Sequence, residues 1–279
     1  MSDTLMSRRK FLVRAGAVMG AASVSGLVLA ERPESAQAAT TNTPWPYPTD
    51  PAAQPDPNLV ARRAFEVYYE SGCAEATWRP IVEALAPAYP DTWGTVPKFL
   101  FWFGRGGVME MGTLCGTLNG SIAAMAAALG KARVADADKI AHALAGYYAE
   151  TPMPTNAVDR DYRDGWVPSG TNVKPPLLNV PTSTAHSPLC HASLAQWTMM
   201  SGAANGSGAQ KDRCAKLCYD MVFKTVTVLN QYFSIAVIPP QEVDPIVATC
   251  MVCHTPNAKG TMSCDSCHEE GREHVKEHY

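Results

Sequence analysis

The sequence predicts a mainly α protein, in which a helical domain that contains cysteines is followed by an irregular C-terminal tail. Between residues 57 and 233, apolar residues recur in several segments with the 3.6-residue period of a helix. Proline and glycine separate these segments, and the chain has no clear hairpin signal. An apolar content of 46% indicates a globular chain rather than a disordered one.

Residues 1–38 are predicted to be a signal peptide. Ser7-Arg8-Arg9-Lys10-Phe11-Leu12 fits the twin-arginine export pattern, and Ala36-Gln37-Ala38 fits a cleavage site. A membrane anchor is the alternative, but Arg14 and many small residues make the apolar stretch too weak for a stable span. The sequence therefore predicts a periplasmic protein, exported by the route that carries proteins already folded.

Residues 39–56 are predicted to form a proline-rich arm. Six prolines lie within residues 44–58, which excludes a helix and favours extended polyproline geometry. A disordered leader is the alternative interpretation. Trp45 and Tyr47 favour an arm that packs on a surface, for example that of a second subunit.

Residues 57–239 are predicted to form the helical domain. Its first helix starts near Pro57 and stops at Gly72, and a second segment, 73–87, continues although Pro80 limits its regularity. A long loop is expected over residues 152–188. Further helices are predicted over residues 111–130, 135–150, 187–202 and 208–233.

Residues 240–279 are predicted to form a tail that carries two haems. The tail contains two copies of C-x-x-C-H, in which both thiols bond to haem vinyl groups and the histidine binds the iron. Its low apolar content means that it needs a cofactor in order to fold. The thioether cysteines are Cys250, Cys253, Cys264 and Cys267, and the proximal iron ligands are His254 and His268.

Zinc or disulfides are alternatives for these four tail cysteines. Neither alternative explains why a histidine directly follows the second cysteine of each motif. The linker of nine residues between the motifs spans at most about 33 Å, so the two haems must be neighbours, which favours electron transfer.

The sixth iron ligand distinguishes a closed carrier from an open catalytic haem. His186 and His191, which bracket Cys190, are the first candidates for distal ligands. His142 is expected to be a structural or surface residue. His274 and His278 lie four residues apart in the tail, and they are either solvated or able to reach a haem, including one in a partner subunit.

Five further cysteines lie outside the tail. Cys214 and Cys218 are four residues apart and so share one helix face. Such thiols could hold an iron–sulfur cluster, whose insertion in the cytoplasm would account for export of a folded protein. The alternative is buried free cysteines with one disulfide. The five residues are Cys73, Cys115, Cys190, Cys214 and Cys218.

The order of these cysteines resembles a family of small redox proteins named for four cysteines around a glycine-flanked cysteine motif. The motif corresponds to Cys115-Gly116-Thr117-Leu118-Asn119-Gly120, with a departure at Thr117. Together with the twin-arginine signal and the paired C-x-x-C-H motifs, the chain is similar to the split-Soret cytochromes c of sulfate-reducing bacteria. The resemblance covers nearly the whole mature chain.

This resemblance implies a periplasmic homodimer with two covalently bound c-type haems per chain. It implies that the haems stack at one end of the dimer, that their coupling splits the Soret band, and that each iron has two histidine ligands. One of those histidines can come from the other subunit. It also implies an iron–sulfur centre at Cys73, Cys115, Cys190 and either Cys214 or Cys218.

Charge excludes one class of function and the motifs favour another. The formal net charge is −3 and there is no basic stripe, so nucleic-acid binding is not expected. The favoured function is a non-enzymatic electron carrier that meets redox partner proteins and has no stable membrane insertion. The alternatives are a haem oxidoreductase acting on a nitrogen oxide or peroxide, and a redox sensor in a membrane-associated complex.

Overall fold

The computed structural model describes residues 43–242. The predicted signal peptide and both C-x-x-C-H motifs lie outside these residues. Within them the chain is helical and has no strand beyond two isolated bridges, so the mainly α prediction is confirmed. None of the helices in this range has the length and apolar character that a membrane span needs.

Seven α-helices make up the described part of the chain, and short 3₁₀ helices connect some of them. The α-helices are α1 (Pro57–Ser71), α2 (Cys73–Leu85), α3 (Gly116–Leu129), α4 (Val134–Glu150), α5 (Ala157–Arg163), α6 (Cys190–Ser201) and α7 (Gly208–Ile235). The 3₁₀ helices are Pro51–Ala53, Trp93–Thr95, Lys98–Gly104 and Lys131–Arg133.

The predicted helix boundaries at proline and glycine are present. Helix α1 begins at Pro57, and the Asp56 carboxylate accepts a hydrogen bond from the Asn58 amide at 2.8 Å. It ends at Gly72, whose φ of 84° favours glycine. Helix α6 ends at Gly202 in the left-handed conformation. Local sequence thus determines where these helices begin and end.

Two elements differ from the sequence prediction. Helix α2 runs through Pro80 without a break, because its buried face packs on α1 and α3 and offsets the lost backbone hydrogen bond. The predicted loop over residues 152–188 contains α5, whose acidic side chains pair with other helices. Asp161 accepts from Arg62 Nε at 2.9 Å and from the Tyr219 hydroxyl at 2.8 Å.

The core lies between α7 and the helices α1–α4. Helix α7 packs along α1, and α2 packs along α3. The second pair approaches closely at Gly120, where a Cβ would lie 2.2 Å from the carbonyl oxygen of Ala74. The largest buried side chains include Trp93, Trp197, Tyr148, Phe65, Ile81, Leu118 and Leu129.

Residues 43–56 lie on the helices of the same chain. The buried Tyr47 stacks on Phe233 with ring centroids 4.8 Å apart, and its hydroxyl donates to Asn230 Oδ1 at 2.7 Å. Trp45 packs edge-on against Trp93 at 4.9 Å. These contacts give the two arm aromatics a surface within their own chain, without a second subunit.

A buried ionic network joins α5 to α7. Lys216 is 1% exposed, and its ammonium group donates to Asp159 Oδ1 at 2.6 Å and to the Leu177 carbonyl. It also lies 3.2 Å from Asp212 Oδ2. Further along α7, the Asp220 carboxylate accepts from the Thr155 amide at 2.8 Å. Every charge of this network therefore has a partner within the chain.

Candidate functional site

Four cysteines from four helices line one cavity. Cys73 is the first residue of α2, Cys115 precedes the first residue of α3, and Cys190 is the first residue of α6. Cys214 joins them from the first half of α7, and the cavity has a volume of about 560 Å³. Three helix N-termini therefore meet at the thiols, and each brings a partial positive charge.

A short backbone pairing brings two of these N-termini side by side. Leu114 and Leu189 form an isolated antiparallel bridge. The Cys115 amide donates to the Pro188 carbonyl at 3.0 Å, and the Cys190 amide donates to the Thr113 carbonyl at 2.8 Å. The segments before α3 and α6 are thus joined, so both helices start at the same wall of the cavity.

Glycine after Cys115 allows the closest approach in the site. A Cβ on Gly116 would lie 2.3 Å from Cys73 Sγ and 2.7 Å from the Gly104 carbonyl oxygen. Any side chain here would push α2 away from α3. Gly116 therefore permits the close approach of α2 and α3.

The buried Cys115 sulfur is surrounded by hydrogen-bond donors. The thiols of Cys190 and Cys73 lie within reach of this sulfur, and the Thr117 hydroxyl donates to it at 3.3 Å. These donors lower the pKa of Cys115 well below its ordinary value. Proximity to Cys115 and burial raise the pKa of Cys73 and of Cys190. One thiolate is thus stabilised by two neighbouring thiols.

Cys214 and Cys218 differ in position although they lie one helical turn apart. Cys214 lines the cavity, and its sulfur accepts from Gln210 Nε2 at 3.1 Å. Cys218 is fully buried behind the cavity wall, with its sulfur 3.8 Å from the Cys73 carbonyl oxygen. Desolvation raises the pKa of Cys218, which favours the neutral thiol. The structure thus groups Cys214, and not Cys218, with the other three.

Arg213 is a buried cation in the cavity wall. Its side chain is 3% exposed, and Nη2 donates to Ser193 Oγ at 2.6 Å and to the Ser193 carbonyl at 3.3 Å. Nη1 lies 3.8 Å from Cys214 Sγ, while Nε is buried without a hydrogen-bond partner. No carboxylate among residues 43–242 forms an ion pair with it. The sequence reasoning missed this residue, although its place beside Cys214 was a signal.

The predicted distal histidines occupy different places. The exposed ring of His191 lies at the rim of the cysteine cavity. His186 is also exposed but does not line the cavity, and its Nδ1 lies 3.0 Å from Glu150 Oε2. His142 is exposed in a surface groove beside Pro239 and Pro240. Because the haem motifs, His274 and His278 lie outside residues 43–242, distal ligation stays a prediction.

The four cysteines that line the cavity suit an iron–sulfur cluster in donor type and in available space. Within residues 43–242 no set of three or more His, Cys, Asp or Glu side chains is arranged to hold a single ion. The four thiols instead surround a cavity of about 560 Å³, and all five cysteines of this range are free. Thiolate sulfur is the usual protein ligand of iron–sulfur clusters, so the donor type and the available space both suit such a cluster.

Residues 72–232 match the family described as "Putative redox-active protein (C_GCAxxG_C_C)". The chain belongs to this family. A redox role follows from that membership, and the matched range includes all four cysteines that line the cavity. The family predicted from the cysteine order is therefore confirmed.

Two comparisons with single proteins agree with this assignment. The chain is 26% identical over 226 residues to the split-Soret cytochrome c of Desulfovibrio desulfuricans (strain ATCC 27774 / DSM 6949 / MB), covering 76% of this chain and 75% of that protein. A solved structure described as "A novel iron centre in the split-Soret cytochrome c from Desulfovibrio desulfuricans ATCC 27774" has a TM-score of 0.64 and 24% identity. The structural match covers 80% of this chain and 91% of the solved chain, so the two proteins share a fold.

The glycine motif departs from the family pattern more than the sequence reasoning allowed. With Cys115 placed on the cysteine of G-C-A-x-x-G, the chain has Leu114, Gly116 and Asn119 at the three other specified positions. Each has a structural role here. Leu114 forms the bridge to Leu189, Gly116 makes room for Cys73, and Asn119 Nδ2 donates to the Leu114 carbonyl at 3.0 Å.

Proposed function

We propose that this protein is a periplasmic electron carrier with an iron–sulfur centre in its helical domain and two c-type haems on its C-terminal tail. The observation that carries the proposal is the convergence of four cysteines from four helices on one cavity. The iron centre in the description of the related solved structure supports an iron-containing group. The four ligands would be Cys73, Cys115, Cys190 and Cys214.

The bound cluster would supply one-electron redox chemistry. The chain's own residues prepare the site for it in three ways. The N-termini of α2, α3 and α6 direct partial positive charge at the sulfurs. Burial of Cys73 and Cys115 excludes water from two of the four ligands. The hydrogen bonds from Cys190 and Cys73 lower the pKa of Cys115, which favours its thiolate form as a ligand.

The haem part of the proposal is supported by the sequence motifs and by the relative's name. The thioethers would form at Cys250, Cys253, Cys264 and Cys267, and His254 and His268 would bind the irons. The similarity to a split-Soret cytochrome c supports the cytochrome part of the proposal, and a homodimer with closely spaced haems is proposed together with it. His191 and His186 remain the first candidates for distal ligands.

Cysteine variants on α7 test the cluster proposal. We expect Cys214→Ala to lose most of the non-haem iron and acid-labile sulfide of anaerobically purified protein, because it removes a ligand from the cavity wall. The matched control is Cys218→Ala, which removes a thiol one turn away that does not line the cavity. We expect that variant to keep its sulfide.

Mass spectrometry of the same preparations would count the haems covalently bound to the tail. We expect two per chain in the unchanged protein and in both variants. A protein that contains haem but no sulfide would refute the cluster. Equal sulfide loss in the two variants would refute the choice of Cys214 as the fourth ligand.

A further inference from the structure

We propose that Arg213 is the internal counter-charge of the cysteine centre and raises its reduction potential. This inference rests on the proposed iron–sulfur function. Arg213 would act as a positioning residue that contacts the ligand Cys214 rather than as a ligand itself. Its role follows from its burial, its fixed orientation and the absence of a carboxylate partner among residues 43–242.

Because Arg213 is buried, its positive charge is expected to have an anionic partner nearby. Its guanidinium is charged at any pH at which the protein folds, and only 3% of the residue is exposed. Burying such a charge without a partner is costly. The Cys214 sulfur, which can carry negative charge as a thiolate, lies 3.8 Å from Nη1. The thiolates of the centre are therefore the expected partners.

The orientation of Arg213 is fixed by α6. Ser193 accepts from Nη2 through both its hydroxyl and its carbonyl oxygen, at 2.6 and 3.3 Å. Ser193 lies one turn after Cys190 on this helix. The guanidinium therefore links the helices that carry Cys190 and Cys214. Its Nε remains buried without an acceptor, as expected for a donor that meets its partner only in the loaded site.

The sign of the effect follows from charge. Reduction adds one electron to a centre already surrounded by thiolates. A fixed positive charge in a site of low polarity stabilises the more negative, reduced form more than the oxidised form. Arg213 should therefore raise the reduction potential and help to retain the anionic centre.

The test compares three variants by redox titration followed by EPR, and by the rate of iron loss to a chelator under anaerobic conditions. Arg213→Met should lower the reduction potential. It should also make iron loss about tenfold faster, which is the effect of one lost charge-assisted hydrogen bond. Arg213→Lys keeps the charge and should lie closer to the unchanged protein. Lys211→Met is the matched control, because it removes an exposed charge from the same helix, outside the cavity lining.

Two results would overturn the proposal. One is an Arg213→Met variant whose potential and iron loss equal those of Lys211→Met. If Arg213→Met does not fold, Ser193→Ala removes the shorter of the two hydrogen bonds that hold the guanidinium on α6, and it should lower the potential in the same direction. An unchanged potential in Ser193→Ala would be the second. Absence of sulfide from the unchanged protein would instead refute the proposed function itself.

Discussion

Helix α7 buries one cation on each of two sides, and the two cations differ in the groups that they contact. On one side, the Lys216 ammonium has Asp159, Asp212 and a backbone carbonyl as partners. On the other side, Arg213 meets one serine and a cysteine sulfur, and its Nε has no acceptor. Both cations are almost fully buried, at 1% and 3% exposure. Among residues 43–242, carboxylates pair with the first cation and not with the second.

The difference separates a structural site from a site prepared for a ligand. A buried ion pair that is complete within the chain holds elements together and needs nothing further. A buried cation beside a cavity lined by thiols, with no carboxylate partner among residues 43–242, is instead placed to face an anionic group in that cavity. Buried charge alone is therefore a poor indicator of function, whereas buried charge without a partner is a good one. The predictions below test this contrast.

Removal of Lys216 should have the largest effect on stability. Lys216→Met leaves Asp159 and Asp212 buried without their shared cation, so we expect a loss of about 3–5 kcal/mol in the free energy of unfolding. Urea unfolding measures this loss. The control is Lys224→Met, which removes only a contact with the Tyr147 ring at 4.6 Å and should cost less than about 1 kcal/mol.

The ionic network does not line the cavity, so the two sides of α7 should be independent. We therefore expect Lys216→Met protein that still folds to keep its non-haem iron and sulfide. Loss of the cluster from this folded variant would show that the two sides of α7 are not separate.

Asp220 should make stability depend on pH. Burial raises the pKa of Asp220 to about 6, partly offset by hydrogen bonds from Thr155. The folded state therefore binds this proton more tightly than the unfolded state, whose pKa lies near 3.9. The stabilisation is complete below about pH 4 and is lost as the pH rises through about 6.

Asp220→Asn removes this titration, because an amide can still pair with the Thr155 amide and hydroxyl. Between pH 4 and 7.5 we expect the variant to gain roughly 2–3 kcal/mol relative to the unchanged protein. Urea unfolding at both pH values measures the difference. A stability difference that is constant with pH would show that Asp220 does not titrate in this range.

Local signals in the sequence predicted most helices, and long-range contacts account for the misses. Pro57, Gly72 and Gly202 mark helix ends through backbone conformation, which does not depend on the rest of the fold. Helix α5 has no clear apolar stripe and depends on ion pairs with Arg62 and Lys216, so periodicity could not predict it. Tertiary contacts also keep α2 regular through proline.

The candidate site was predicted in part for the same reason. The order of the cysteines predicted the family, but a spacing of four residues places Cys214 and Cys218 on the same helix face. Only the depth of each side chain in the fold distinguishes them. Arg213 lies in a polar stretch of α7 that reads as solvent-facing, and its burial depends on Ser193 from a distant part of the chain.

Substitution of Gly116 should affect the cysteine site more than the stability of the fold. In Gly116→Ala, the new Cβ would lie 2.3 Å from Cys73 Sγ, so α2 and α3 must separate or Cys73 must turn away. We expect a stability loss of about 1–3 kcal/mol, typical of overpacking, together with loss of most of the non-haem iron and sulfide. Urea unfolding and sulfide analysis measure the two effects.

Gly208→Ala is the matched control for this change. Gly208 is the first residue of α7, and a Cβ there would meet no atom within 4 Å. Alanine favours the helix more than glycine does, so the control should be as stable as the unchanged protein or up to about 1 kcal/mol more stable. It should also keep its sulfide. If Gly116→Ala retained sulfide like this control, close contact between Cys73 and Cys115 would not be needed for the centre, and the cavity wall would be more adaptable than the ionic side of α7.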